Sequence, residues 1–163
     1  MITYETPVLA EWVDYNGHLR DAYYLLIFSY ATDAFMPRIG LDVDQRGRKG
    51  HSLFTLEAHI NYLHEVKLGR RVRVDTRVIG HDHKRVHLYH SLLGDEDESP
   101  LAVSEQMLLH VTLEGPAAAP FGADSHRLLT ALVQRQTEQN LPPAKYLGRV
   151  IALPASGAPA SWP

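Results

Sequence analysis

Within WVDYNGHLRDAYYL, residues 12–25, a carboxylate (Asp14) and an imidazole (His18) stand four positions apart, with Asn16-Gly17 between them. Asn-Gly is a turn signal, and Gly17 lets the backbone bend sharply and approach a ligand closely. An apolar run begins just after Asp21. A carboxylate beside the first turn of a helix can attack a carbonyl or activate water. The helix N-terminus next to it offers unpaired N–H groups and partial positive charge to a developing oxyanion. Together these parts suit acyl transfer without serine, cysteine or metal. The same residues also read as a plain turn, in which Asp14 caps backbone N–H groups and His18 holds the loop.

For Asp14 to meet a helix N-terminus, a strand must end near residue 13 and a helix must start near residue 22. Residues 3–13 read as that strand, broken at Pro7. Ala22 to Met36 (AYYLLIFSYATDAFM) reads as the helix, with Asp21 as N-cap and Pro37 and Gly40 ending it. Its polar residues, Ser29, Thr32 and Asp33, form one narrow stripe, and a helix otherwise apolar all round is expected to be wrapped by the rest of the chain. After the polar loop 41–50 come four strand candidates, Ser52–Leu63, Arg71–Gly80, Arg85–Leu93 and Leu101–Leu113. The second alternates most cleanly, with Val72, Val74, Thr76 and Val78 on one face and Arg71, Arg73, Asp75 and Arg77 on the other. Short loops between consecutive strands imply an antiparallel meander. Beyond Gly115, a Pro/Ala connector leads to an amphipathic helix, Ser125–Gln139, carrying Leu128, Leu129, Leu132 and Val133 on one face. The Pro/Ala/Gly-rich tail 141–163 is expected to pack loosely or not at all. The fold class is therefore α+β: a curled antiparallel sheet around one long helix, residues 1–115, followed by 116–163 as connector, helix and tail.

Composition excludes several alternatives. The chain has 163 residues, suited to one domain, with 45% hydrophobic and 21% charged residues. A formal charge of −3 carries no basic stripe for nucleic acid. The absence of cysteine removes disulfides, thiolate metal sites and a cysteine nucleophile. No apolar stretch is long enough to cross a membrane and no secretory leader is visible, so a cytoplasmic protein is expected. Of ten histidines, His81 and His83 share a strand face, but they fall in an expected turn and no metal site is anticipated.

The stretch DYNGHLRDAYYL resembles the active-site segment of the hotdog-fold acyl-CoA thioesterases of the 4-hydroxybenzoyl-CoA thioesterase type. Their pattern is roughly Asp-x-x-Gly-His-(Val/Leu)-Asn-Asn-x-x-Tyr before an apolar helix. Asp14, Gly17, His18, Leu19 and Tyr24 match it, while Arg20 and Asp21 replace the Asn pair. The resemblance covers about residues 3–115. A closer likeness, to the betainyl-CoA thioesterases of carnitine breakdown, lies in WVDYNGHL, ATDAF, TLEAHINYLHEVKLG and HKRVHLYH.

The resemblance implies a hotdog fold and hydrolysis of an acyl-CoA to a carboxylate and free CoA. Betainyl-CoA is the favoured substrate. The alternatives are other short, aromatic or fatty acyl groups, or acyl-CoA binding without catalysis. It implies no metal or cofactor beyond the CoA of the substrate. Asp14 becomes the catalytic nucleophile or general base, with Gly17 and His18 shaping its turn. The N–H near Asp21 becomes the oxyanion donor. A carboxylate side chain at position 21 opposes an oxyanion unless it turns away; it could cap the helix, pair with Arg20 or face a cationic acyl group. For a quaternary ammonium, Trp12, Tyr15, Tyr23 and Tyr24 offer aromatic faces, and Glu57 and Glu65 negative charge. For the CoA phosphates, Arg70, Arg71, Arg73, Lys84 and Arg85 are candidates. Hotdog proteins imply a homodimer or homotetramer, in which Glu57, His59 and Asn61 of one copy approach the Asp14 of another.

Overall fold

A computed structural model describes residues 1–42, 50–95, 97 and 99–153. Residues 43–49 of the polar loop, residues 96 and 98 of the acidic turn, and the tail from 154 lie outside them. The elements are β1 (Ile2–Pro7), a 3-10 turn (Ala10–Trp12), α1 (Asp21–Phe35), a second 3-10 turn (Met36–Ile39), β2 (His51–Tyr62), β3 (Arg71–His81), β4 (Arg85–Gly94), β5 (Ala102–Thr112), β6 (Ala117–Ala118) and α2 (Ala123–Glu138). The sheet runs β1-β3-β4-β5-β2, with short β6 beside β5, and every pairing is antiparallel. Register shifts at Ile2/Tyr4, Thr55/Glu57 and Val78/Gly80 each insert a bulge, and bulges bend and twist strands enough to curl a sheet.

The alternation expected in β3 is present: Val72, Val74, Thr76 and Val78 are all buried toward α1. From α1, Tyr24, Ile27, Phe28, Ala31, Thr32 and Phe35 meet them. One apolar cluster gathers Trp12, Leu19, Tyr24, Ile27 and Val66 near the start of α1. The other gathers Phe35, Ile39, Leu88, Leu108 and Leu129 near its end. Several buried polar groups run between β1, β3, β4, α1 and β5: Thr3–Thr76 (2.7 Å), Thr76–His90 Nδ1 (2.9 Å), His90 Nε2–Thr32 (3.2 Å), Thr32–Gln106 (3.4 Å) and Gln106–Ser104 (3.2 Å). Burial pushes the His90 imidazole down to about 3, so it stays neutral; the Asp75 charge opposes that shift.

Four expectations need correction. The four strands after the 41–50 loop do not form one meander: β2 does not lie beside β3 but crosses to the far edge and pairs with β5, leaving β3-β4-β5 as the meander. The first strand does not reach Val13. It ends at Pro7, which brings no N–H to a ladder, and the chain turns through Ala10–Trp12 before reaching Asp14. Within this chain α1 is not wrapped all round: Leu25 and Tyr30 are exposed with Ser29 and Asp33, while Thr32 belongs to the buried face. The tail does not hang free over 142–148, while Val150, Ile151 and Leu153 beyond it are exposed as expected. The Pro142 carbonyl accepts from Arg77 Nη1 at 2.6 Å, and the Gly148 N–H donates to Glu105 at 2.6 Å. Residues 141–149 thus lie on the outer face of the sheet. α2 packs on β3 through Leu129 and a bond from the Val78 N–H to Gln136.

Candidate active site

Trp12-Val13-Asp14 and His18-Leu19-Arg20 run antiparallel as the two arms of a tight loop. The Asp14 N–H donates to the His18 carbonyl at 2.9 Å, the Arg20 N–H donates to the Trp12 carbonyl at 3.0 Å, and Val13 bridges Leu19. Tyr15-Asn16-Gly17 form the tip. Gly17 has φ +76° there, in the left-handed region where a side chain is strained. The second arm is pinned from outside by Leu19 N–H to Val66 (2.7 Å) and Leu68 N–H to Gly17 (3.0 Å). Helix α1 starts immediately, at Asp21.

This turn aims and charges Asp14. Its Oδ1 accepts from the Asn16 N–H at 2.8 Å and from the His18 N–H at 3.0 Å. The His18 bond holds the carboxyl below the usual carboxylate range; desolvation opposes the shift, and the Asn16 bond, the His18 ring and Arg20 reinforce it. Among the described residues no hydrogen bond falls on Oδ2. The group is therefore an ionised carboxylate with one oxygen held and the other available, as a nucleophile or general base requires. His18 orients it through the backbone, because its ring turns to Glu65, with Nε2 3.4 Å from Oε2.

At the helix start, Asp21 folds its carboxylate back so that Oδ1 accepts from the Ala22 N–H at 2.9 Å. Arg20 does not pair with it; Arg20 Nε donates to the Val13 carbonyl at 3.1 Å. Tyr62, from the last position of β2, sends its hydroxyl to the Asp21 carbonyl at 3.3 Å. Its ring meets Tyr24 edge-to-face, with centroids 5.1 Å apart. Burial pushes the Tyr24 phenol up to about 12, with Tyr62 and Glu65 adding to the shift; burial and then Asp21 raise Tyr62. Both rings remain neutral at ordinary pH.

Asp14, Gly17, His18, Asp21 and Tyr24 thus gather in one place, with Glu65 beside them. Trp12 is only 6% exposed and stacks on Tyr23 at 6.0 Å, so as an open aromatic face it is corrected to a core residue. Tyr15 is 95% exposed at the loop tip, with no wall around it. Glu57, His59 and Asn61 lie on edge strand β2, opposite Met107, Glu105 and Val103 on the face turned away from α1. Glu57 and His59 line a cavity of about 270 Å³ there with His87, Glu105 and Arg149.

The cations expected for phosphate are largely occupied. Arg70 pairs with Asp97, Arg71 and Arg73 approach Asp95, and Arg85 grips Asp82 through Nε (2.8 Å) and Nη2 (2.6 Å). Lys84 and Arg85 also sit at the β3–β4 turn, one sheet length from the Arg71 end where β1 meets β3. Within one chain they do not reach Asp14. Among the described residues no three His, Asp or Glu side chains gather as a metal set. Tyr62, which no motif in the sequence marks, is brought to the helix start beside Asp21 and Tyr24. Its only signal was its position at the end of a strand whose next residues return to the Asp14 turn.

The chain belongs to the thioesterase-like superfamily, whose family model matches residues 8–132, and its curled sheet around α1 is the hotdog fold. It is 58% identical over 154 residues to the betainyl-CoA thioesterase of Pseudomonas aeruginosa, covering 94% of this chain and 96% of that one. It is 48% identical over 108 residues, 66% of its length, to an L-carnitine dehydrogenase/betainyl-CoA thioesterase of Agrobacterium fabrum, of which it spans 22%. A Staphylococcus aureus protein solved in complex with CoA superposes with a TM-score of 0.86 at 27% identity, covering 94% and 96% of the two chains. A crystal structure from Pseudomonas putida KT2440 gives 0.84 at 61% identity, covering 95% and 97%.

Proposed function

We propose that this chain hydrolyses betainyl-CoA to a free carboxylate and CoA. The observation that carries the reading is the 58% identity, across nearly the whole of both chains, to a betainyl-CoA thioesterase. The turn geometry supplies the chemistry. The ionised Asp14 carboxylate attacks the thioester carbon, or takes a proton from water that does so. The Asp21 N–H, which makes no hydrogen bond among the described residues, faces the developing oxyanion. The C–S bond breaks, the CoA sulfur takes up a proton and water supplies the oxygen of the new carboxylate. Protein side chains, backbone donors and water complete this sequence, so the reading calls for no metal or cofactor.

The reading includes a second copy of the chain. Strand β2 is a long edge strand of 12 residues, with Phe54 and Leu56 exposed, and an unpaired apolar edge is a template for pairing. Two copies joined there carry Glu57, His59 and Asn61 to the seam, and bring Lys84 and Arg85 of one copy toward the Asp14 end of the other. The reaction belongs in the cytoplasm, with the acyl-CoA pool. Thiol release from betainyl-, acetyl-, benzoyl- and octanoyl-CoA tests the function. Turnover of betainyl-CoA well above the others is expected; preference for another ester would replace the substrate, and no release from any would remove the hydrolytic reading.

A further inference from the structure

The betaine group differs from other small acyl groups by one feature, a permanent positive charge without N–H donors. No hydrogen-bond acceptor can select it by accepting a proton. Selection must come from aromatic faces and fixed negative charge, which attract a cation within about 6 Å of a ring centroid.

Such a combination stands at the start of α1. Tyr62 is 49% exposed, yet its ring is held at both ends, by its hydroxyl bond to the Asp21 carbonyl and by the edge-to-face contact with Tyr24. A half-open ring fixed in this way loses little freedom when a ligand covers it. Tyr24 beneath it is 4% exposed and forms the floor. Asp21 brings a carboxylate to the same turn, and Glu65 brings another beside His18. The neighbouring guanidinium, Arg20, is turned to the Val13 carbonyl, and among the described residues Asp21 makes no ion pair. The other aromatic faces of this segment do not compete: Trp12 is buried in the core, Tyr23 is stacked on it, and Tyr15 projects from the loop tip.

We propose that the exposed face of Tyr62, backed by Tyr24, together with the Asp21 carboxylate, forms the subsite that selects a trimethylammonium acyl group. The proposal rests on the betainyl-CoA reading and names the residues that discriminate. It also accounts for a carboxylate at position 21. Negative charge near an oxyanion donor is a liability for a neutral acyl group, and an advantage when the acyl group carries +1. The fold-back onto the Ala22 N–H keeps that carboxylate off the donor at Asp21.

The test compares betainyl-CoA with 3,3-dimethylbutanoyl-CoA, which has the same shape with carbon in place of the charged nitrogen. The readout is the ratio of the two kcat/KM values within each variant, so partial loss of folded protein cancels. The wild type is expected to favour betainyl-CoA. Tyr62→Leu is expected to cut the ratio by about tenfold, the factor carried by about 1.4 kcal/mol, and Asp21→Asn by about fivefold. Tyr62→Phe, which keeps the ring, should retain most of it. A ratio unchanged in both Tyr62→Leu and Asp21→Asn, with the wild type still favouring betainyl-CoA, overturns the subsite and leaves the substrate standing. A wild type that favours the neutral ester overturns both.

Discussion

Two polar regions of this molecule show pKa values moved in the same direction with opposite consequences. At the Asp14 turn, two backbone N–H groups lower a carboxyl and keep it charged. In the core, burial lowers the His90 imidazole to about 3 and keeps it neutral. The first region is wet and charged, and is held by main-chain geometry in a loop. The second is dry and uncharged, and spans β1, β3, β4, α1 and β5. Backbone donors can hold charge where water still reaches it, whereas a buried side-chain network avoids charge because desolvation costs more than its partners return. The turn is therefore equipped for reaction and the core network for choosing one packing. Changes in the core should move stability and leave the chemistry, and loss of the reactive side chain in the turn should do the reverse.

The largest stability effect is expected at His90. His90→Ala leaves a cavity and strips Thr76 and Thr32 of a partner, costing about 3 kcal/mol by urea unfolding. The folded mutant should still turn over substrate with kcat within a few-fold. A large loss of kcat with stability intact would make the core network part of the site. Acid sharpens the same contrast. The folded pKa of His90, about 3, lies below its ordinary 6.5, so the unfolded chain binds the extra proton. Stability is fully present above 6.5 and falls as pH drops toward 3, at up to about 1.4 kcal/mol per unit. Asp14, held below its ordinary 3.8 by the His18 N–H bond, stays ionised over the part of that range above the ordinary carboxylate value. Acid inactivation should therefore follow unfolding, seen as superimposed pH curves for kcat/KM and near-ultraviolet circular dichroism. An acid limb in kcat/KM near pH 6 with the fold intact would contradict this assignment.

Smaller effects follow at single positions. Gly17→Ala puts a side chain at φ +76°, costing about 1–2 kcal/mol of stability. Displacing the Asp14 turn should also lower kcat by about tenfold. Thr32→Val removes the hydroxyl from Phe28, His90 and Gln106, costing about 1 kcal/mol with no change in rate.

How much of this was legible depended on whether the cause was local. The β3 alternation and the Asn-Gly turn are local patterns, and both appear as expected. The helix start near residue 21 follows from Asp21 and the apolar run. The stop of β1 at Pro7 was visible in the sequence, but the turn through Ala10–Trp12 that carries the chain to Asp14 was not. Thr32 looked like part of a polar stripe because its partners, His90 and Gln106, are 58 and 74 residues away. The tail looked unfit to pack by composition, yet its stretch 142–148 is held by long-range contacts, among them those of Pro142 with Arg77 and Gly148 with Glu105. At the site, the motif pointed to Asp14, Gly17, His18 and Asp21. Tyr62 and the burial of Trp12 depend on how β2 and the loop close over α1, which no short stretch encodes.

The most direct test of the account is Asp14→Asn, measured for kcat on betainyl-CoA and for unfolding in urea on the same preparation. A kcat lowered by about 10²–10⁴-fold is expected, the range for loss of a positioned acid–base group, with the urea midpoint close to that of the wild type, because Asn keeps the Oδ1 that accepts from the Asn16 and His18 N–H groups. A folded Asp14→Asn variant that releases CoA at the wild-type rate would contradict it.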